Sequence, residues 1–419
     1  MTENIPAVHT TSATEESAEY GLSQTGCRFR VFSSVFHLTK DWEQAQPPRN
    51  LYLHRPLLTA IEEAPPKGIV PLYLVFYKNN APIGVAYCQV TTFNTEQSVQ
   101  DMEGKGKKTG AKPSVSASVK NYFAKKFEYN LLTCGNLLFT GEHGFHFDSN
   151  KIGRADFMEL LHEALDKTQL FCKERNIKTD GVFIKDLCDG HEETCKALKA
   201  KKYREFLFHP TMVLHLREEW QSYDDYLQAI SSKYRVRAKK AAKKGAALQR
   251  VVFTKEQLEK NIDRLYELYR GVMDTAGFNM VVLHENYILK LKEHLGDKFR
   301  VTGYYLDGEL IGYRTNISNF DELEAHFLGY DQSFNKEYQL YMNMLLDSLK
   351  QAIGQRAKHL VYARTAMEIK SSIGAEPHDL FCFIKANNRL HNKMMPFLLE
   401  YFRPDDNWVQ RRPFKENKN

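Results

Sequence analysis

The chain has 419 residues, 42% of them hydrophobic and 26% charged, with a formal net charge of +6. That length exceeds one ordinary core and points to two domains, and the composition is globular. No window reaches the roughly 18 uninterrupted apolar residues of a membrane-spanning helix.

In chain order, residues 1–25 open as MTENIPAVHTTSATEESAEYG, rich in Thr, Ser and Glu. The stretch reads as a disordered tail, and it has no basic region followed by an apolar run as a secretion signal would. The seven cysteines are scattered without metal-like spacing, which favours reduced thiols and the cytoplasm. PLYLVFYKNNAPIGVAYCQV (71–90) reads as a hairpin turning at Asn79-Asn80. A polar, Gly- and Lys-rich stretch, 95–121, is expected to be a flexible insertion. A strand (128–141), a helix (154–175) and a strand (181–187) follow, completing a first unit over 26–215.

The second unit, 216–419, repeats the order. FRVTGYYLDGELIGYRTNI (299–317) is a hairpin about Asp307-Gly308, among the strongest turn signals. A strand (322–331), a helix (337–356) and a strand (358–365) come after it. A hairpin-strand-helix-strand order occurring twice predicts an α/β (α+β) fold of two tandem units, each a mixed sheet flanked by helices. Ahead of the second hairpin, YDDYLQAISSKYRVRAKKAAKKGAAL is expected to be one helix, acidic at its start and basic at its end. Arg237 and Lys240 lie on it. Its basic run fits a solvated face, a nucleic-acid contact, or a face toward an anionic ligand or lipid headgroups.

The tandem layout resembles the GNAT acyltransferase superfamily, in particular the Fem-type proteins with two such modules. SSKYRVRAKKAAKKGA (231–246) is similar to the helix pattern at the entry to the family's second module, and LYELYRGVMDTAGF (265–278) to the helix before its hairpin. The resemblance implies N-acyl transfer from an acyl-CoA or acyl-carrier-protein thioester, or from an aminoacyl-tRNA, to an amine. A lipid or cell-envelope precursor is the expected acceptor, with peripheral contact at the inner membrane face, no DNA and no metal. Fem-type aminoacyl transfer to a peptidoglycan precursor is one alternative; a binding protein on a degenerate scaffold is the other.

In such a scaffold the site opens where strands 322–331 and 358–365 part. Strand alternation puts Leu323, Ala325 and Phe327 on one face and Glu324, His326 and Leu328 on the other. If the apolar face is covered by a helix, Glu324 and His326 look into the cleft, either as a base or as an ordinary solvent-facing pair. Tyr330, Tyr362, Arg364 and Glu368 are expected to position acceptor or carbonyl, or Arg364 and Glu368 to form a plain ion pair. CGNLLFTGEHGFHFD holds a second candidate pair, Glu142 and His143. The turn at 330–335 lacks the glycines of a pyrophosphate cradle, which argues against coenzyme A there and leaves Ser333 or Asn335 to cap the helix.

Overall fold

The computed structural model describes residues 16–94, 128–188, 192–207, 209–274, 281–401 and 408–415. The expected insertion, 95–121, and the first fifteen residues of the expected tail lie outside them. The chain runs β1 (Ser17–Gly21), β2 (Cys27–Phe32), α1 (Lys40–Ala45), α2 (Arg55–Glu63), β3 (Ile69–Lys78), β4 (Ala81–Asn94), β5 (Glu128–Cys134), β6 (Phe145–Phe147), α3 (Arg154–Glu174), β7 (Gly181–Cys188), α4 (Glu192–Ala200) and β8 (Arg204–Leu207). It continues through β9 (Thr211–His215), α5 (Tyr223–Ala229), α6 (Ser232–Lys244), β10 (Gln249–Val252), α7 (Lys255–Met273), α8 (Tyr287–Leu295), β11 (Phe299–Leu306), β12 (Glu309–Asn319) and β13 (Glu322–Tyr330). Last come α9 (Gln332–Tyr338), α10 (Leu340–Gly354), β14 (His359–Val361), α11 (Met367–Ser371), β15 (Glu376–His378), β16 (Leu380–Ala386) and α12 (Arg389–Tyr401).

The two-sheet expectation is borne out. One sheet is ordered β1-β2-β3-β4-β5-β7-β16-β8, with β6 pairing β4; the other is β10-β11-β12-β13-β14-β9-β15. The hairpins match in detail. Asn79 and Asn80 take positive φ in one turn, as do Asp307 and Gly308 in the other. Each ladder slips once, between Phe76 and Tyr77 and between Tyr304 and Tyr305, so Phe76 faces Gly84 as Tyr304 faces Gly312. A Cβ on Gly84 would sit 2.6 Å from Phe157 of α3, and one on Gly312 2.8 Å from Met344 of α10. Both glycines let the following helix close onto its sheet.

The unit boundary differs from the expected 215/216. β9 leaves the first half to pair with β14 and β15, and β16 returns from the second half to lie between β7 and β8. The crossing falls between β8 and β9 and again between β15 and β16. Each sheet therefore takes its second-to-last strand from the other half, a reciprocal exchange invisible to a local reading. The tail also starts sooner in order: Ser17–Gly21 pairs with β2. The expected strand 128–141 ends at Cys134, and a loop intervenes before β6.

The single basic helix is two. Ile230, extended at φ −84 and ψ 152, ends α5, and α6 begins after Ser231. Ile230 is buried and bridges to Phe414, so tertiary packing overrides helix propensity there.

Candidate active site

Glu324 forms the last rung between β13 and β14, opposite Val361; beyond it the strands part. A bulge follows at once. The β12–β13 register jumps from Asn316↔Ala325 to Arg314↔Leu328, leaving His326 and Phe327 opposite Thr315. Thr315 Oγ1 donates to the Phe327 carbonyl at 2.7 Å and pins the bulge.

The bulge breaks the alternation on which the sequence reading relied. Leu323 and Ala325 pack beneath α10 as expected, but Phe327 turns to Tyr269 and Tyr287 on α7 and α8, while Leu328 joins Leu340 and Met344 of α10. Glu324 and His326 do lie away from α10. That side is not open, because the first module covers it. The Tyr52 hydroxyl donates to the Glu324 carboxylate, and the Phe139 ring stacks on His326 at 4.6 Å and 11°. Tyr287 Oη and His326 Nε2 lie 2.9 Å apart.

Burial sets the electrostatics. Glu324 is 3% exposed, and desolvation raises its pKa from 4.5 to about 8, against smaller lowering contributions from the Tyr52 hydrogen bond and Lys185. The same burial, joined by Glu324 itself, pushes the Tyr52 phenol well up. His326 moves the other way, to about 3, by desolvation. His143 also falls to about 3, through burial and then the Lys185 charge. Its ring lies 4.1 Å from that of Tyr52, and Asn50 ties both residues down through His143 Nδ1 at 3.3 Å and the Tyr52 amide at 3.0 Å.

Beside this cluster sits a charged knot absent from the sequence reading. Lys185 Nζ donates to the Phe139 carbonyl at 2.6 Å and to Asp186, and Arg364 of the second module binds the other Asp186 oxygen. The two cations hold the Asp186 carboxyl down at about 2 despite its burial. Lys370, buried, donates to the Tyr362 and Arg364 carbonyls at 2.6 Å each, bracing the turn that carries Arg364; burial lowers its pKa to about 7. In that turn Ala363, Thr365 and Ala366 all have positive φ, which cuts the expected strand 358–365 down to His359–Val361.

Several expected site residues are therefore placed elsewhere. Tyr362 is buried in the core and donates to the Leu345 carbonyl at 2.8 Å. Arg364 pairs with Asp186 and not with Glu368, which is held by Arg411. Glu142 receives both Arg154 nitrogens at 2.9 and 3.0 Å and the Cys188 amide at 3.0 Å, a structural anchor. Tyr330 is half-buried beside Tyr341. On α6, Ala238 and Ala241 face the core while Arg237 and Lys240 stand exposed, with no ion pair among the described residues. The charged pair inside the apolar run GVFIKDL was the one signal that could have flagged Lys185 and Asp186; nothing local marks Tyr52 or Phe139.

The turn after β13 does not fit a pyrophosphate. Asp331 caps α9, accepting from the Ser333 amide at 2.9 Å and the Ser333 hydroxyl at 2.7 Å. Its carboxylate stands where an incoming phosphate would need those donors. Asp331, not Ser333, is the cap; Asn335 instead accepts from Tyr341 in the first turn of α10 at 3.0 Å. The first module repeats this. Asp148 follows β6 and donates its amide to Ile83, as Asp331 does to Ile311, at 2.8 and 2.9 Å.

Residues 232–371 match the family described as "Acetyltransferase (GNAT) domain". The matched segment lies within the second module. No curated protein sequence matches the chain. Among solved structures, FemX is similar at 11% identity and a TM-score of 0.47, over 80% of this chain and 92% of its own. A tandem GNAT protein from the clavulanic acid biosynthesis pathway aligns at 11% identity and 0.46, over 80% and 88%. L-PGS from Bacillus licheniformis does so at 11% and 0.43, over 83% and 95%. The matched segment contributes Glu324 and His326, and the first module contributes the side chains that cover them.

Proposed function

We propose that the chain is an N-acyltransferase whose GNAT domain uses Glu324 as the base, at a site completed by Tyr52 of the first module. The observation that carries this reading is a buried carboxyl, bound by Tyr52 at the point where β13 and β14 part, whose pKa burial raises to about 8. An acceptor ammonium must lose a proton before attack, and a base works best with a pKa near the operating pH. Glu324 meets that condition. His326 and His143, both near 3, do not.

In the proposed reaction Glu324 takes one proton from the acceptor ammonium. The freed nitrogen attacks the donor carbonyl carbon, the bond from that carbon to the leaving group X breaks, and X departs as HX with a second nitrogen proton. Glu324 then returns its proton to solvent. Tyr52 orients the carboxylate, and neutral His326, held between Phe139 and Tyr287, packs on the same covered face. The self-capped turn at Asp331 favours a donor that does not rest a pyrophosphate there. A carrier-protein thioester or a charged tRNA, both strongly anionic, would be drawn to Arg237 and Lys240 on α6. A lipid or envelope-precursor amine is the acceptor class proposed.

The test is a panel of thioesters and charged tRNAs with amine acceptors, read by mass spectrometry for a new amide. Product from the wild type and loss of it in Glu324→Gln are expected. Product formed equally by both proteins would place the chemistry elsewhere.

A further inference from the structure

A groove of about 780 Å³ opens at the end of the first sheet, between α3, the entry to β8 and α12. Lys173, Lys202, Arg204, Arg389 and Lys393 line it, all exposed and without an ion pair among the described residues. Asp166, the carboxylate in the lining, is taken up by Lys385 at 3.0 and 3.1 Å. These cations come from distant parts of the chain and converge only because β16 crosses back and carries α12 with it. Five unpaired cations around one concavity repel one another unless an anion sits among them.

A second feature adjoins the groove. α12 packs inward through Met395, Leu398 and Leu399, while Leu390 and Phe397 stand 64% and 63% exposed. Helical spacing puts Leu390, Lys393 and Phe397 on one outward arc. Leu170 in the groove lining is 54% exposed. An anionic polymer such as RNA would reward the cations but gains little from exposed leucines. A bilayer of anionic lipids rewards both, since the phosphates meet the cations and the apolar side chains enter the interface.

We propose that this face docks on an anionic phospholipid surface, with headgroup phosphates in the groove and Leu390 and Phe397 inserted beside it. The inference extends the acyltransfer reading by saying where a lipid acceptor is met, but it does not depend on Glu324. Vesicle binding can fail with amide formation intact, and the reverse.

The experiment is co-sedimentation of the full chain with vesicles of phosphatidylglycerol and phosphatidylcholine, against phosphatidylcholine alone. Binding to the mixed vesicles, weakened at raised salt and about tenfold poorer on neutral vesicles, is expected. Lys173→Gln/Arg204→Gln/Lys393→Gln and, separately, Leu390→Ser/Phe397→Ser should each lower partition by about tenfold, since they remove the two terms of interfacial binding. Arg237→Gln/Lys240→Gln/Lys244→Gln on α6 should bind as wild type. Every altered side chain is exposed, and circular dichroism checks folding. Wild-type partition of the Leu390/Phe397 variant overturns the proposal in favour of a soluble polyanion site, as does displacement by millimolar inorganic phosphate. Loss confined to the α6 variant overturns it in favour of that helix.

Discussion

The two modules share a hairpin, its bulge and an aspartate after the third strand, yet differ where chemistry would occur. In the first, Thr133 pairs with Phe183 on the rung that corresponds to Glu324 and Val361 in the second. The Thr133 hydroxyl is buried without a hydrogen-bond partner among the described residues. Further along, Asp186 and Arg364 occupy matching places after the parting strands, and they bind each other. One module carries Glu324 and His326, while the other supplies Tyr52 and Phe139 as their cover. Duplication of a fold does not duplicate a site; here the first copy walls in Glu324 and His326 of the second.

The comparison can be broken most severely by separating the modules. Fragments cut at 215/216 leave each sheet without the strand it borrows, exposing unpaired backbone and buried residues such as Phe383 and Met212. Each fragment alone should be insoluble, while co-expression restores folded material on a sizing column; two stable separate fragments would sink the exchange.

The next effect is catalytic. Glu324→Gln should lower turnover roughly 10²–10⁴-fold, as loss of a positioned base does, while Thr133→Val leaves turnover near wild type. A comparable loss from Thr133→Val would mean that both modules act. Asp186→Asn leaves the buried Lys185 and the half-buried Arg364 against a neutral partner and should cost about 3–5 kcal/mol in denaturant unfolding. Stability unchanged in that variant would show the knot to be passive.

A smaller test uses pH. Glu324 has a folded pKa near 8, above its ordinary 4.5, so the stability it contributes is full below 4.5 and is lost as pH rises toward 8. The melting temperature of Glu324→Gln should therefore gain on wild type across that window. His143 and His326, lowered to about 3, act oppositely: their contribution is present above 6.5 and is lost as pH falls below it. Parallel melting curves for wild type and Glu324→Gln from pH 5 to 9 would contradict the buried carboxyl. The slightest effect belongs to Tyr52→Phe. Loss of a hydrogen bond that favours the carboxylate should move the alkaline rise of kcat/KM to higher pH by less than about one unit, roughly 1.4 kcal/mol.

Local chemistry made much of this protein legible. Asp307-Gly308 and Asn79-Asn80 announce their hairpins, apolar spacing announces α3 and α10, and the repeated order announces two sheets. Glu324 and His326 could be named because period-2 alternation separates them from Leu323 and Ala325. The same rule misplaced Phe327 and Leu328, since a bulge at Thr315 depends on how two strands meet and leaves no mark in either. Extending strand 358–365 through Tyr362 and Arg364 overlooks a turn whose positive φ values fall on Ala363, Thr365 and Ala366, residues that do not advertise them.

What the sequence determined by itself is the two hairpins and the long helices after them, because turns and hydrophobic periods act over a few residues. What only the tertiary structure decided is partnership. β9 and β16 change sheets, Tyr52 reaches Glu324, and Lys173 finds Lys393 through contacts between residues far apart in the chain. Their energies come from burial and charge in the assembled protein, and no local pattern encodes them.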